Sequence, residues 1–430
     1  MKLRNLFLAG LAAIAMASCS NEIEGVDNGN NNVEKNAKLQ FSIGFPGVTT
    51  RANTGDEELG TDEENNIKTI NVRVSYSEGI SDDIFNFKIE DFNKGEGNTY
   101  TLKEEKYMTV APSEGATLYV TVNGDKEVTI TGTTTAEYDA TEASIKTGLA
   151  EANNFLMSGK SKEVVTITQN KVNQAEVEVD RVAARIDEVT TTKDHSFDLE
   201  FITKYKDQDG TIKNIEAQSL TATVVDYALY NLNKKTNIFA STTFAADPTY
   251  FQEFVPTTKN TLSYDGDFVS REIGATSTYT LENNSETNPT SIIYKVQYKY
   301  TGEEKGTGDF FTYVKGENTV VYKDFASLDA DNDYRFSKSF GLDKNSEYSA
   351  FIKAGVTKYT AGIAYYTKEI KTNNSDTKIL RNNCYKLNVS KISGLGTAVI
   401  DPEIPGEPTL LELTVSVKSW TVNVNDFELK

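Results

Sequence analysis

Apolar and polar residues alternate along much of this chain with the period of two that is typical of half-buried β-strands. The first such run covers residues 39–48, where every second position is apolar: Leu39, Phe41, Ile43 and Phe45. Similar runs, separated by turn signals, follow at 67–76, 117–122, 164–168, 175–186, 220–230, 291–300, 310–314, 359–366 and 385–392. Because strands do not alternate with helices, a parallel α/β sheet is not expected. The pattern predicts an all-β protein.

The length and the grouping of these runs predict two domains. A chain of 430 residues is long enough for two or three domains, each with its own core. The runs fall into two blocks with a joint near residue 190, which gives an N-terminal β-sandwich over 52–189 and a C-terminal β-sandwich over 190–400. The 22 tyrosines and 21 phenylalanines suit the pleated surfaces of such sheets.

The last thirty residues, 401–430, predict a linker followed by a two-strand tail. Pro402, Pro405 and Pro408 stiffen the linker, since proline fixes its own backbone and lacks a donor. The tail then alternates in two phases, the first through Leu411, Leu413, Val415 and Val417, the second through Trp420, Val422 and Val424. A change of phase implies a bulge or a break between two strands. The alternative is that both are ordinary final strands of the second sandwich.

The N-terminus has the features of an export signal, which lies outside the fold. Lys2 and Arg4 precede an apolar run over 6–17 that is too short to cross a bilayer. The run ends in Met16-Ala17-Ser18-Cys19, which resembles the bacterial lipobox. Residues 1–18 are therefore predicted to be a lipoprotein signal peptide, and Cys19 to carry the lipid (palmitate). An ordinary signal peptide with an incidental cysteine is the alternative.

A second processing signal follows the first predicted strand. Residues 20–38 are too polar to bury and indicate a flexible tether. The sequence Thr49-Thr50-Arg51-Ala52 then leads into a polar, acidic stretch that ends near residue 66. An arginine between a strand and an exposed loop is open to a trypsin-like protease. Other arginines, such as Arg73, Arg181 and Arg185, lie in strand-like runs and are expected to be protected.

Composition excludes several kinds of partner and site. The net charge of −19 argues against nucleic acid and against adhesion to anionic lipid, because both need a basic surface. With Cys19 lipidated, only Cys384 remains, so neither an intramolecular disulfide nor a thiolate metal cluster is expected. The single histidine, His195, lies in a polar segment and is expected on the surface rather than in a catalytic site.

Two short motifs partly match known ligand-binding loops. Gly159-Lys160-Ser161 matches the end of a phosphate-binding loop, but Asn154 stands where the loop needs glycine, and a strand follows it. The run 329–333 is similar to the start of a calcium loop, but Tyr334 and Phe340 replace the required glycine and glutamate. An acidic turn is favoured there, with a weak cation site as the alternative. No catalytic residue, metal site or cofactor is predicted, and the chain is not expected to be an enzyme.

Four groups of residues, in this order along the chain, resemble the Bacteroidales fimbrillin family of major and minor fimbrial subunits: 155–159, 179–186, 279–283 and 380–396. The resemblance implies two transthyretin-like sandwiches. It also implies export to the outer membrane as a lipoprotein, followed by removal of a lipidated propeptide, here 19–51, by an Arg-specific protease that cuts between Arg51 and Ala52.

The same resemblance implies a fimbrial subunit at the cell surface that polymerises head-to-tail and serves adhesion and biofilm formation. The displaced propeptide strand would carry Leu39, Phe41, Ile43 and Phe45. The donor strand that replaces it would carry the apolar tail positions from Leu411 to Val424. Its partners would be further copies of itself and other fimbrial subunits, in the shaft or in the accessory and tip group. The alternative is a permanently lipid-anchored surface protein that binds a glycan or host ligand.

Overall fold

A computed structural model describes most of the chain between residues 22 and 421. The described residues are 22–23, 26–27, 33–45, 57–77, 79–95, 99–124, 135–137, 148–201, 204–206, 209–214, 219–233, 235–240, 250–251, 271–274, 277–300, 308–372, 376–400 and 411–421. The signal peptide, Cys19, the Arg51–Ala52 bond, the proline linker, Val422 and Val424 lie outside them. The descriptions below concern the described residues.

The all-β prediction is confirmed. The strands of the first half are β1 Glu22–Ile23, β2 Val26–Asp27, β3 Ala37–Gly44, β4 Glu57–Leu59, β5 Thr69–Tyr76, β6 Asp83–Lys88, β7 Phe92–Lys94, β8 Thr99–Leu102, β9 Tyr107–Val110, β10 Ser113–Val122, β11 Thr135–Glu137, β12 Met157–Lys160, β13 Val165–Ile167, β14 Val172–Glu178, β15 Asp180–Arg181 and β16 Ala184–Glu188.

The second half continues in the same way. Its strands are β17 Ser196–Glu200, β18 Lys204–Lys206, β19 Ile212–Asn214, β20 Ser219–Tyr230, β21 Leu232–Asn233, β22 Lys235–Asn237, β23 Tyr250–Phe251, β24 Arg271–Glu272, β25 Thr278–Thr280, β26 Ser291–Tyr300, β27 Phe310–Lys315, β28 Asn318–Tyr322, β29 Val356–Tyr359, β30 Ile363–Glu369, β31 Asn383–Ile392 and β32 Leu411–Thr421. The α-helices are short and span Asp62–Asn65, Phe325–Ala330, Arg335–Phe340 and Tyr348–Lys353. No helix in the described ranges is long and apolar enough to cross a membrane.

Two sheets form the first sandwich. One has the order β1-β9-β3-β8-β7, with β14 on the other side of β3, and the second has the order β15-β12-β10-β5-β6-β2, with β13 beside β10. The alternate apolar positions of the strands form the core. In β10, for example, the inward side chains Leu118, Val120 and Val122 are fully buried. They lie opposite the buried face of β5, with Val120 paired to Val72. One apolar core lies between the two sheets.

The second sandwich is built in the same manner. Its sheets have the orders β25-β16-β31-β32-β4 and β17-β20-β26-β30, with β24 beside β20. A separate core fills the space between them and contains several buried tyrosines, among them Tyr227, Tyr294 and Tyr298. The chain passes from the first sandwich to the second between Arg181 and Ala184, which is earlier than the joint expected near residue 190.

A small unit interrupts the second sandwich. Strands β26 and β30 are hydrogen-bonded neighbours, yet the chain between them forms a separate three-stranded sheet, β28-β27-β29, and the three later helices. This unit has its own core, in which Phe311 and Phe351 pack with ring centroids 5.2 Å apart. It is therefore an inserted unit with an independent apolar centre.

Candidate functional site

The predicted propeptide strand lies inside the first sandwich. Strand β3 runs parallel to β14 along its length, from Lys38 opposite Val172 to Gly44 opposite Glu178. Its other edge is shared by two antiparallel strands, β9 beside residues 37–39 and β8 beside residues 42–44. Because β3 has a hydrogen-bonded neighbour on each side, its removal would leave a slot with two unpaired edges.

The inward face of β3 is fully packed. Leu39 and Phe41 are 0% exposed, Ile43 1% and Phe45 5%. Phe41 meets Phe92 edge to face at 5.4 Å, and Phe45 meets Tyr100 at 6.0 Å. Burial of four such side chains contributes roughly 6–12 kcal/mol, which is comparable with the whole stability of a typical domain, about 5–15 kcal/mol. The first sandwich therefore depends on a strand at this position.

The described part of the predicted tail lies in the second sandwich of its own chain. Strand β32 pairs antiparallel with β31, from Leu411 opposite Ile392 to Ser419 opposite Asn383. Leu411 and Val415 are buried in the second core, and Leu413 packs at its margin. Val417 and Trp420 belong to the same strand. In this position β32 completes a sheet of the second sandwich.

The sequence predicts a bulge or a break between the two phases of the tail, and no break is observed up to Thr421. Strand β32 continues without interruption through Val417 and Trp420 to Thr421. The register irregularity is instead on the partner strand, between Val389 and Lys391, opposite Leu413 and Glu412. A bulge in β31 therefore accommodates the pairing. A second tail strand would have to lie beyond residue 421, outside the described residues.

The four residue groups that resemble the fimbrillin family meet at the seam between the two sandwiches. Arg181, in β15, is 1% exposed, and its Nη2 donates to Asn65 Oδ1 at 2.5 Å. Its Nη1 donates to Asn382 Oδ1, in the turn before β31, at 3.3 Å. Burial lowers the pKa of this guanidinium to about 10. Arg181 thus ties the N-terminal sandwich to a turn of the C-terminal one.

Glu64 is the main anion of this seam and is 2% exposed. Its carboxylate accepts from Arg185 Nη1 at 3.1 Å and from the Tyr279 hydroxyl at 2.7 Å. Burial alone would lower the pKa of Arg185. The hydrogen bonds to Asp187 and the negative charge of Glu64 have the larger effect, so the pKa of Arg185 is raised. The Tyr279 ring also packs against Phe155 at 5.0 Å. The Glu64 carboxylate is therefore paired and hydrogen-bonded, as a buried charge requires.

A third buried arginine closes the seam. Arg381 is 0% exposed, and its guanidinium donates to Glu282 Oε2 at 2.7 Å and to the Ile238 carbonyl at 2.9 Å. The sequence expectation that Arg181 and Arg185 are protected agrees with their burial. Their shared role was missed, although arginine inside an apolar strand-like run is a signal for a buried ion pair.

The residues weighed for chemistry have structural partners. Asp329 Oδ1 accepts from the backbone N–H groups of Phe336 and Ser337 at 3.0 Å, and Asp331 Oδ2 accepts from Lys315 Nζ at 2.6 Å. His195 is half-buried, with Nδ1 3.0 Å from the Thr190 carbonyl. Within the part of the chain that the structure describes, no group of three or more His, Cys, Asp or Glu residues could hold a metal ion.

A cleft of about 420 Å³ lies where the inserted unit meets the second sandwich. Tyr359 and Thr312 of the inserted unit line one side, and Tyr365 and Lys368 of β30 line the other. Burial lowers the pKa of Lys368. The loop 394–397 closes one end, where Tyr366 donates to the Gly394 carbonyl at 2.5 Å. The cleft is a space between two units with polar and aromatic walls.

Several solved structures match this chain over most of its length. A candidate cell adhesion protein from Bacteroides eggerthii is 16% identical, covers 92% of this chain and 99% of its own, and gives a TM-score of 0.47. One from Parabacteroides distasonis is 15% identical, with 90% and 97% covered and a TM-score of 0.48. The tip fimbrial protein Mfa3 from Porphyromonas gingivalis, with a C-terminal truncation, is 13% identical, with 90% and 100% covered and a TM-score of 0.40. No curated protein matches the sequence significantly.

The family comparison falls on the last part of the chain. Residues 353–426 match the C-terminal region of fimbrillin, the major fimbrial subunit protein type IV. This range contains strands β29–β32, so it includes the tail strand and its partner β31. The resemblance seen in the sequence is confirmed there, because residues 353–426 are similar to the C-terminal region of fimbrillin.

Proposed function

We propose that this protein is a polymerising subunit of a cell-surface fimbria. It is exported as a lipoprotein and held in the outer membrane by the lipid on Cys19. An Arg-specific, trypsin-like protease cuts between Arg51 and Ala52 and removes residues 19–51. The strand removed is β3, and the tail of another copy takes its place. The protein is a structural component of the fimbria, in the shaft or in the accessory and tip group, and serves adhesion and biofilm formation.

The position of β3 is the observation that carries this proposal. The strand precedes Arg51 in the chain and is hydrogen-bonded to β14 on one side and to β8 and β9 on the other. A slot with two unpaired edges and an apolar floor is a template for an added strand. Backbone hydrogen bonds to the added strand supply the binding affinity, and its alternate side chains, packed on the apolar floor, set the register. Cleavage thus creates the binding site.

The tail has the pattern that the slot requires. Along β3 and the residue after it, the inward positions Leu39, Phe41, Ile43 and Phe45 are two residues apart, and the tail repeats this spacing at Leu411, Leu413, Val415 and Val417. In its own sandwich the tail buries Leu411 and Val415, whereas the β3 run buries Leu39, Phe41, Ile43 and, directly after the strand, Phe45. At roughly 1.5–3 kcal/mol for each buried side chain, the emptied slot offers a tail strand substantial apolar burial.

The contact is head-to-tail, because the slot lies in the N-terminal sandwich and the donor at the C-terminus. A heterologous contact of this kind generates a filament when the rotation between copies does not close a ring. Each subunit receives one strand and gives one. The partners are further copies of this chain and other fimbrial subunits that carry the same slot or tail.

The first test is protease-triggered assembly of lipid-free protein. The wild type and an Arg51→Ala variant are digested briefly with an Arg-specific protease and run unboiled on a denaturing gel. The wild type is expected to give a ladder whose subunits begin at Ala52, and Arg51→Ala is expected to stay monomeric. An Arg73→Ala variant serves as the matched control, since Arg73 lies in β5 and stacks on Tyr119 at 4.4 Å. It should polymerise like the wild type.

A synthetic peptide of residues 411–430 provides the second arm. Added in excess during digestion, it should fill the slot, stop the ladder at low order and remain bound to the subunit on the unboiled gel. A processed wild-type subunit that stays monomeric and does not retain the peptide would contradict strand exchange.

The cleft between the inserted unit and the second sandwich supports one alternative, a surface protein that binds a glycan or host ligand and stays lipid-anchored. It predicts that the segment 19–51 remains intact on cells. It also predicts a glycan-array signal that falls when Lys368 is changed to methionine. Loss of the N-terminal segment at the cell surface would exclude it.

A further inference from the structure

A short strand just after the predicted cleavage point holds the tail from its free side. Strand β4 lies beside β32, parallel to it, with Glu57 opposite Ser419, Glu58 opposite Trp420 and Leu59 opposite Thr421. The tail is therefore an inner strand of its sheet, between β31 and β4. It cannot leave the second sandwich without separating from β4.

Glu58 reinforces this pairing with charge. Its Oε1 accepts from Lys386 Nζ of β31 at 2.7 Å, and its Oε2 lies 3.5 Å from Lys418 Nζ of the tail. Arg185 Nη2 of β16 is 3.9 Å from the same carboxylate. Burial disfavours the charged form, but the hydrogen bond and charges of Lys386 and Lys418 outweigh it, and the pKa of Glu58 is lowered. One carboxylate thus spans the tail and joins both of its flanking strands.

The chain after β4 is fixed at the seam. Thr61 and Glu64 cap each other: the Thr61 N–H donates to Glu64 Oε2 at 2.8 Å, and the Glu64 N–H donates to Thr61 Oγ1 at 3.3 Å. Asn65 accepts from the buried Arg181 and donates to the Gly60 carbonyl at 2.7 Å. Because this anchor follows residue 57, cutting at Arg51 leaves β4 attached to the processed subunit.

We infer that β4 retains the C-terminal strand in its own sandwich after processing, and that Glu58 is the positioning residue that controls how readily the strand leaves. This inference rests on the proposed function in one respect only, that the released strand is the donor. Cleavage empties the slot of β3 but leaves the tail held. In a processed subunit, β32 therefore stays in its own sandwich until it separates from β4. Only then can the tail reach the slot of another subunit.

Tail release can be measured without polymerisation, in the full, uncleaved and lipid-free protein. Hydrogen–deuterium exchange of the 411–421 amides is compared between wild type, Glu58→Gln and Lys418→Gln. The matched control is Glu412→Gln, since Glu412 lies on the same strand in an exposed ion pair with Lys391 at 3.5 Å. Trp420 is the only tryptophan of the chain, so acrylamide quenching of its emission is a second readout of the same strand.

Both Glu58→Gln and Lys418→Gln are expected to speed exchange in 411–421 by roughly threefold, as loss of a partly exposed ion pair allows, and to increase quenching. Glu412→Gln should leave both readouts unchanged, and the thermal midpoint of the first sandwich should not move in any variant. Unchanged exchange in both Glu58→Gln and Lys418→Gln would overturn the inference. If exchange rises but the protease-triggered ladder does not form in the wild type, retention by β4 stands and the proposed polymerisation falls.

Discussion

The hydroxyl of Tyr279 donates to the carboxylate of Glu64 at 2.7 Å, across the seam between the two sandwiches. Glu64 follows the predicted cleavage point and Tyr279 lies in β25 of the second sandwich, so this bond joins segments that are far apart in sequence. Burial and the charge of Glu64 both raise the pKa of Tyr279. The hydroxyl stays protonated and remains a donor. The seam is thus a fixed polar joint between the two sandwiches.

Glu64→Gln is expected to destabilise the seam by about 1–3 kcal/mol, the usual cost of leaving a buried hydrogen-bonding group without its partner. The neutral amide cannot balance the charge of Arg185. It also has only one acceptor oxygen, so it cannot replace both carboxylate oxygens that accept hydrogen bonds from Arg185 and Tyr279. Urea unfolding followed by circular dichroism measures the loss. Glu63→Gln is the control, because Glu63 is exposed and adjacent; it should change stability by less than about 0.5 kcal/mol. Equal effects of the two variants would contradict the role of Glu64.

Gly159→Ala is expected to disturb the packing of β12 against the end of β14. A Cβ atom at position 159 would lie 1.9 Å from the Glu178 carbonyl oxygen, which is backbone and cannot move aside cheaply. Overpacking of this kind costs about 1–3 kcal/mol or more. Gly95→Ala is the control, since a Cβ there meets Thr99 at an ordinary 3.5 Å. A thermal midpoint equal to that of Gly95→Ala would contradict the steric argument.

Retention of the tail is expected to weaken in acid. The pKa of Glu58 is lower in the folded protein than in the unfolded chain, so its contribution is fully present above the ordinary glutamate value of about 4.3 and is lost as the pH falls through the folded value. Acrylamide quenching of Trp420 should therefore rise on acidification in the wild type. In Glu58→Gln the rise should be smaller, and Glu412→Gln should follow the wild type. Equal pH slopes in all three proteins would exclude a role for Glu58.

The thiol of Cys384 is expected to be inert in the folded protein. It is 0% exposed, burial together with the nearby Asp187 carboxylate raises its pKa, and its Sγ lies 3.3 Å from that carboxylate. Only the thiolate is strongly nucleophilic, so labelling with a maleimide should be slow at neutral pH and complete only after unfolding. In protein that begins after Cys19, Cys384 is the only thiol. Fast labelling under native conditions would show that β31 is exposed at rest.

The periodicity of the sequence predicted the strands well because each strand buries one face. The alternation at Leu39, Phe41 and Ile43 is the burial pattern of β3, and no contact from elsewhere in the chain is needed to see it. In the tail, the change of phase after Val417 predicts a bulge or a break, and β32 shows no break up to Thr421. The bulge that accommodates the register is in β31, and a single strand's pattern does not reveal a bulge in its partner.

The seam and the retaining strand depend on long-range pairing, which periodicity does not report. Glu57–Leu59 is acidic and short, and it is a strand only because β32 lies beside it. Arg181 and Glu64 are distant in sequence, and their burial together becomes visible only in three dimensions. The passage between the sandwiches also depends on long-range pairing: β15 and β16 are consecutive in sequence, but β15 pairs with β12 and β16 pairs with β31.

Phe41→Ala is expected to affect the stability of the uncleaved precursor but not that of the assembled filament. Phe41, in β3, is fully buried and packs against Phe87 and Phe92. Its truncation should therefore destabilise the uncleaved protein by about 3–5 kcal/mol. After cleavage at Arg51 the residue is gone, so filaments formed from this variant should be as resistant to urea as wild-type filaments. Phe92→Ala is the control, since Phe92 stays in the slot wall and should weaken both forms. A filament weakened by Phe41→Ala as much as by Phe92→Ala would mean that β3 remains in place, and strand exchange at this slot would be excluded.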